Sequence, residues 1–205
     1  MTNKILAEKL KPEMELHKSF VAIKPRKCTK YIVVHCSASQ PKEDYDWKTI
    51  DQIHRQQGYI TIGYHYVIKT DGTIQNGRNI DAIGAHAHGY NDESVSICLV
   101  GGVDRLGHSK TNFTSEQYKA LVKLLNWLDY IYWDEKPIVL GHRDFKGVKK
   151  DCPCFDVKPF WEKYGNIYEE FDGTYNMSKT DFERYNKGAV EGDLVIAKLG
   201  QQYED

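Results

Sequence analysis

Residues 31–39 read YIVVHCSAS. A β-branched run that ends in small polar residues reads as a buried strand, and its C-terminal end carries His35. Successive side chains along a strand point to opposite faces, so Cys36 and His35 cannot both aim at one metal. Cys36 is therefore assigned to the core. Cys98 is assigned there too, because a free cysteine behaves as a small hydrophobe.

Further along the chain, strand and helix signals alternate. WKTIDQIHRQQGY (47–59) sets Ile50, Ile53 and His54 on one helical face, with Gly58 as a stop. GYHYVIKTDGTIQNGR (63–78) is two alternating runs joined by Asp71-Gly72, a dipeptide that tolerates positive φ in a hairpin turn. SVSICLVGG (94–102) predicts another buried strand. In TNFTSEQYKALVKLLNWLDYIYW (111–133), Thr114 stands as N-cap with Gln117 in the capping-box position, and Tyr118, Leu121, Leu125 and Leu128 share a stripe. PIVLGH (137–142) delivers His142 to a strand end, and FDVKPFWEKYG (155–165) reads as a last short helix. The pattern implies an α/β fold, a single domain with a mixed central β-sheet flanked by helices.

The boundaries that follow are an N-terminal extension at 1–30, the domain at 31–165 and an acidic C-terminal extension at 166–205. Residues 1–30 carry eight Lys/Arg against three Asp/Glu, and residues 165–205 carry four against nine. The ends are thus opposite in sign, and the aromatics of the tail, among them Tyr168, Phe171 and Tyr175, are expected to pack on the domain. A net charge of −1 gives no global electrostatic argument for nucleic acid or membrane. No apolar run approaches the ~20 residues of a membrane span, and the first residues lack the ~7–15-residue apolar core of a signal peptide. Synthesis and retention in the cytoplasm are expected. Five cysteines without framework spacing agree with a reducing compartment.

Three candidate ligands fall at strand ends or close beyond them: His35, His142 and a cysteine ten residues after His142. Two imidazoles and a thiolate form a usual catalytic zinc set with one position open. By spacing alone the histidines also read as hydrogen-bonded structural residues. His54 reads as a core or boundary histidine, and His65, one residue past Tyr64, as a structural one on the other side of its strand.

Taken in order and spacing, VVHCSAS, GYHYVIKTDGTIQNGR, GAHAHGYNDESVSICLVGG, NFTSEQ and GHRD followed by KDCPCFD resemble the zinc-dependent N-acetylmuramoyl-L-alanine amidases. This is the type 2 amidase family, the amidase-type bacteriophage lysozymes related to peptidoglycan recognition proteins. The resemblance spans about residues 31–165. It implies an endolysin that cleaves the amide between N-acetylmuramic acid and the L-alanine of the stem peptide, with bacterial peptidoglycan as partner and action on the wall after release from the host cytoplasm.

Carried over by position, the resemblance implies one Zn2+ held by His35, His142 and Cys152, with Tyr64 and Lys150 as catalytic residues. His86, His88 and Asn91, on the Gly-rich loop GAHAHGYN, are expected to border the cleft and bind substrate, and Ser94 and Ser96 to line it. A monomer is expected. Two other readings stay open. Some proteins of this type also bind a phage RNA polymerase near their N-terminal segment, and a wall-binding module without catalysis is disfavoured by the presence of all five residues.

The stretch KKDCPCFD (149–156) holds a second sulfur at Cys154. A Cys-Pro-Cys spacing is one residue shorter than the redox motif, and a proline bridge strains a disulfide. The family pattern implies that Cys152 is the ligand and Cys154 a bystander facing the core.

Overall fold

In a computed structural model that describes residues 3–17, 21–41, 43 and 45–165, the run YIVVHC forms an inner strand of a five-stranded sheet. The elements in chain order are α1 (Asn3–Leu10), β1 (Tyr31–Cys36), α2 (Trp47–Gln56), β2 (Tyr66–Ile68), β3 (Ile74–Asn76), β4 (Ser94–Leu99), α3 (Ser115–Ile131), β5 (Ile138–Gly141) and α4 (Val157–Tyr164). The acidic aromatic segment from residue 166 lies outside the described residues. Among those described, no helix is long and apolar enough to cross a membrane.

The strand order is β3-β2-β4-β1-β5. β1 pairs in parallel with both β4 and β5, β2 is parallel to β4, and only the β2–β3 hairpin is antiparallel. The sheet is therefore mixed and carries helices on both faces. The hairpin turn falls where Asp71-Gly72 places it: Gly72 N–H donates to the Lys69 carbonyl, and the Asp71 carboxylate accepts from Thr73 N–H. Its regular strands are shorter than the alternating runs, although Gly77 N–H and Arg78 N–H still donate to the His65 and Tyr64 carbonyls beyond them.

Alternation along β1 and β4 divides the interior. Ile32, Val34 and Cys36, with Val95, Ile97 and Leu99, face α3 and α4, where Tyr118, Leu121, Leu125, Leu128 and Phe160 are fully buried. The opposite face carries Val33 with Ala87, Leu140 and Phe145, and Cys98 with Val100 and Ile50 of α2. Cys36 and Cys98 are both buried core residues, on opposite faces. This second face also holds the polar residues His35, His65, Ser94 and Ser96, each buried.

Two features were not singled out by the sequence pattern. α1 packs against α3 and buries Leu10. Residues 15–17 and 21–27 lie along the free side of the hairpin and the loop behind it: Glu15 N–H donates to the Ile74 carbonyl at 2.8 Å, Asn76 N–H returns to the Glu15 carbonyl at 3.2 Å, and Ile83 N–H reaches the Lys24 carbonyl at 2.8 Å. The basic segment thus covers a sheet edge that would otherwise expose unpaired backbone groups.

The α3 capping box is formed as the sequence implies, with Thr114 Oγ1 accepting from Gln117 N–H and Gln117 Oε1 accepting from Thr114 N–H. The same Thr114 hydroxyl donates to the Thr70 carbonyl at 2.7 Å, tying the helix start to the hairpin. Thr114→Ala removes both links, and urea unfolding should show a loss of about 1–2 kcal/mol, the upper part of the range for N-cap deletions. A loss within ~0.3 kcal/mol would show that neither link contributes.

Candidate metal centre

The parallel register of β1 and β5 sets Val34 opposite Gly141, so the residue after each, His35 and His142, leaves the sheet on the same side. Their rings stand 4.6 Å apart between centroids. His35 is buried and His142 half-buried at the start of a short 3-10 turn, His142–Asp144. That turn is closed by Gly141 N–H donating to the Asp144 carboxylate at 2.8 Å.

Cys152 reaches the pair through close approach of its loop to β5. A Cβ at Gly141 would stand 2.8 Å from Pro153 Cδ, so a larger residue there would push the Cys-Pro-Cys loop away. Arg143 N–H donates to the Cys152 carbonyl at 2.8 Å, and the Arg143 guanidinium pairs with Asp156. The Cys152 sulfur lies 3.6 Å from His35 Nδ1 and accepts from the Cys36 backbone N–H at 3.3 Å. Ligand atoms of His35, His142 and Cys152 all fall within 4.8 Å of one another.

Electrostatics prepare the two imidazoles for coordination. Burial pushes His35 well below the usual histidine range, aided by the charges of His142 and Lys150, and burial with Lys150 lowers His142 as well. Neutral imidazoles are the ligating form. Two imidazole nitrogens and one sulfur are a donor set that could hold a metal ion, and one that suits zinc.

Tyr64 lies beside this group, with its ring 5.2 Å from that of His35. Burial, then the thiols of Cys98 and Cys152, hold its phenol well above the usual tyrosine range. Lys150 is exposed at the rim, close enough for its charge to act on both histidines. The second sulfur takes a different place. Cys154 Sγ donates to the Gly102 carbonyl at 3.2 Å and lies 3.9 Å from Cys36 Sγ, packed at the margin of the α3-side core. It is not one of the three converging donors.

The loop GAHAHGYN divides its residues between two roles. His88 is exposed. His86 turns inward, its Nδ1 3.0 Å from His35 Nε2 and its Nε2 3.3 Å from Ser94 Oγ. Asn91 Oδ1 accepts from the backbone N–H groups of His86 and Ala87, both at 2.8 Å, bracing the loop from within. Ser94 and Ser96 are fully buried and offer no surface to a groove, which corrects the expectation that they line it. Alternation does set them on the site face, but His86 and Tyr90 of the loop engage Ser94, and His65 engages Ser96.

His65 is structural: Nε2 lies 2.9 Å from the Ala82 carbonyl, and Nδ1 accepts from Ser96 N–H at 3.0 Å. His54 accepts from Gly63 N–H through Nδ1 at 2.9 Å and touches the Tyr59 and Tyr64 rings. Sequence reasoning passed over Arg78, whose buried guanidinium donates to the Ile62 and Ile83 carbonyls and ties the Tyr64 segment to the loop carrying His86. Nothing in the spacing of Asn-Gly-Arg pointed to that role.

A family model described as N-acetylmuramoyl-L-alanine amidase matches residues 25–155. The chain belongs to that family. The amidase is 44% identical over 143 residues to an endolysin of Enterobacteria phage T3, covering 70% of this chain and 92% of the relative. It is 43% identical over 143 residues to an endolysin of Escherichia phage T7, with the same shares covered. Among solved structures it is similar to the endolysin N-acetylmuramoyl-L-alanine amidase LysCS from Clostridium intestinale, with TM-score 0.61 and 26% identity over 74% of this chain and 95% of that one.

His65 gives the amidase a pH signature. Burial holds its folded ring neutral down to about pH 3, whereas an unfolded histidine binds a proton near pH ~6.5. Above that value both states are neutral. As pH falls below it the unfolded chain gains the proton and stability is lost, by up to ~1.4 kcal/mol per pH unit. Urea unfolding of the metal-free protein should therefore fall off less steeply below pH ~6.5 in His65→Gln than in the wild type. Parallel curves would contradict a neutral buried ring.

Proposed function

We propose that the chain is a peptidoglycan hydrolase, an endolysin that cleaves the amide between N-acetylmuramic acid and the L-alanine of the stem peptide, with one zinc ion held by His35, His142 and Cys152. The observation that carries the reading is the convergence of those three ligand atoms within 4.8 Å, in a chain of the amidase family. When bound, zinc supplies Lewis acidity toward a carbonyl oxygen and acidifies water at neutral pH.

The remaining work falls to side chains. Hydrolysis breaks the C–N bond of the amide: the lactyl carbonyl carbon takes the hydroxyl of a water, and the alanine nitrogen takes a proton and leaves as a free amine. Tyr64, whose phenol stays protonated, donates a hydrogen bond toward the reacting carbonyl or water. Lys150 brings a compact cation to the oxyanion that develops on the carbonyl oxygen. His88 is exposed and is kept as a substrate contact; the exposed Tyr59, whose ring touches His54 as that of Tyr64 does, offers a second one. The polymerase-binding reading rests on the resemblance alone, and the segment near which it would act is hydrogen-bonded along the hairpin and the 80s loop.

Purified peptidoglycan incubated with the protein should release stem peptides bearing a new N-terminal L-alanine, with release stopped by a chelator and restored by zinc. Intact wall in the presence of zinc-loaded protein would remove the hydrolase reading. Cys152→Ser should lose both zinc and release, while Cys154→Ser keeps both, as metal analysis of the two variants would show. Lys150→Ala should keep its zinc and lose roughly 10²–10³ in kcat, the scale of a lost oxyanion contact. An unchanged kcat would take Lys150 out of the chemistry.

A further inference from the structure

We infer that His86 is a positioning residue that fixes which nitrogen of His35 is free to bind the metal. The inference rests on the metal-centre reading and replaces a substrate contact for His86 with a role inside the protein. It follows from a chain of hydrogen bonds with one consistent direction.

The chain starts at a group that can only accept. The Tyr90 carbonyl oxygen lies 2.6 Å from Ser94 Oγ, so the single hydroxyl proton of Ser94 goes to it. Ser94 Oγ is left as an acceptor toward His86 Nε2 at 3.3 Å, and His86 therefore carries its proton on Nε2. An uncharged imidazole has one N–H, so His86 Nδ1 presents a lone pair. That lone pair faces His35 Nε2 at 3.0 Å, and the contact is a hydrogen bond only if His35 is protonated at Nε2. His35 Nδ1 is then bare, and it is the nitrogen that faces Cys152 Sγ at 3.6 Å.

The opposite tautomer would set two lone pairs against each other between the rings and direct an N–H at the metal position. Donation from His35 Nε2–H to His86 also raises the basicity of the ligating nitrogen. The surroundings hold the His86 ring in this pose. A Cβ at Gly84 would stand 2.4 Å from His86 Cδ2, so the ring occupies space that only glycine leaves open. Its backbone N–H and that of Ala87 are both tied to Asn91 Oδ1. With both ring nitrogens engaged inside the protein, His86 has no free nitrogen for a wall fragment.

Two measurements test this. In metal-free protein labelled with ¹⁵N-histidine, two-bond ¹H–¹⁵N correlation spectra should show His35 and His86 both protonated at Nε2 with bare Nδ1 atoms, and His35 protonated at Nδ1 would overturn the inference. In a competitive chelator titration, His86→Leu should weaken zinc binding by roughly 10–100-fold, the usual cost of losing such a partner. His86→Asn, whose Oδ1 can take the place of Nδ1 as acceptor, should recover most of that loss, whereas wild-type affinity in His86→Leu would overturn the role. A wild type that binds no zinc, with the expected tautomers in the spectra, would sink the metal-centre reading and leave the hydrogen-bond chain standing.

Discussion

The parallel pairing of β1 with β5, running from Tyr31 opposite Ile138 to Val34 opposite Gly141, is the constraint on which the site depends. It brings His35 and His142 to the same end of neighbouring strands and to the same face. A slip of one residue would turn one of the two rings to the α3 face, because side-chain direction alternates with period two. The register is held by burial rather than by the site itself. Ile32, Val34 and Val139 are packed against the α3 side, and Val33 and Leu140 against the other, so both faces penalise the slip.

That arrangement explains how so much polar chemistry sits inside a sheet. The second face of β1 and β4 buries His35, His65, Ser94 and Ser96. A buried polar group without a partner costs roughly 1–3 kcal/mol. Ser94 is met by His86 and Tyr90, Ser96 by His65, and His35 by His86 and Cys152. The loop GAHAHGYN therefore closes over part of this polar face, through His86 and Tyr90 on Ser94 and through His86 on His35. Desolvation keeps the rings neutral, which suits ligation, and His86 holds His35 from the side away from Cys152.

Much of this was legible in the sequence because the signals are local. β1, the Asp71-Gly72 turn, the Thr114–Gln117 capping box and the strand ends bearing His35 and His142 each follow from patterns within a few residues. Alternation alone separated His35 from Cys36. The positions carried over from the amidase resemblance, Cys152 above all, converge with them in space. What the sequence did not reveal depends on contacts far apart in the chain. The pairing of Glu15 with the β3 edge joins residues sixty apart, and the inward turn of His86 brings it to His35, 51 residues back in the chain. A histidine on a glycine-rich loop reads as a surface residue until the strand beneath it is placed.

In the proposed centre one sulfur and two imidazoles, and no second sulfur, hold the metal. X-ray absorption at the zinc edge of the loaded wild-type protein measures this directly. The expected spectrum has two imidazole nitrogens at about 2.0–2.1 Å and a single sulfur at about 2.3 Å, with a further light scatterer completing four-coordination. A spectrum with two sulfurs, or with none, would contradict it.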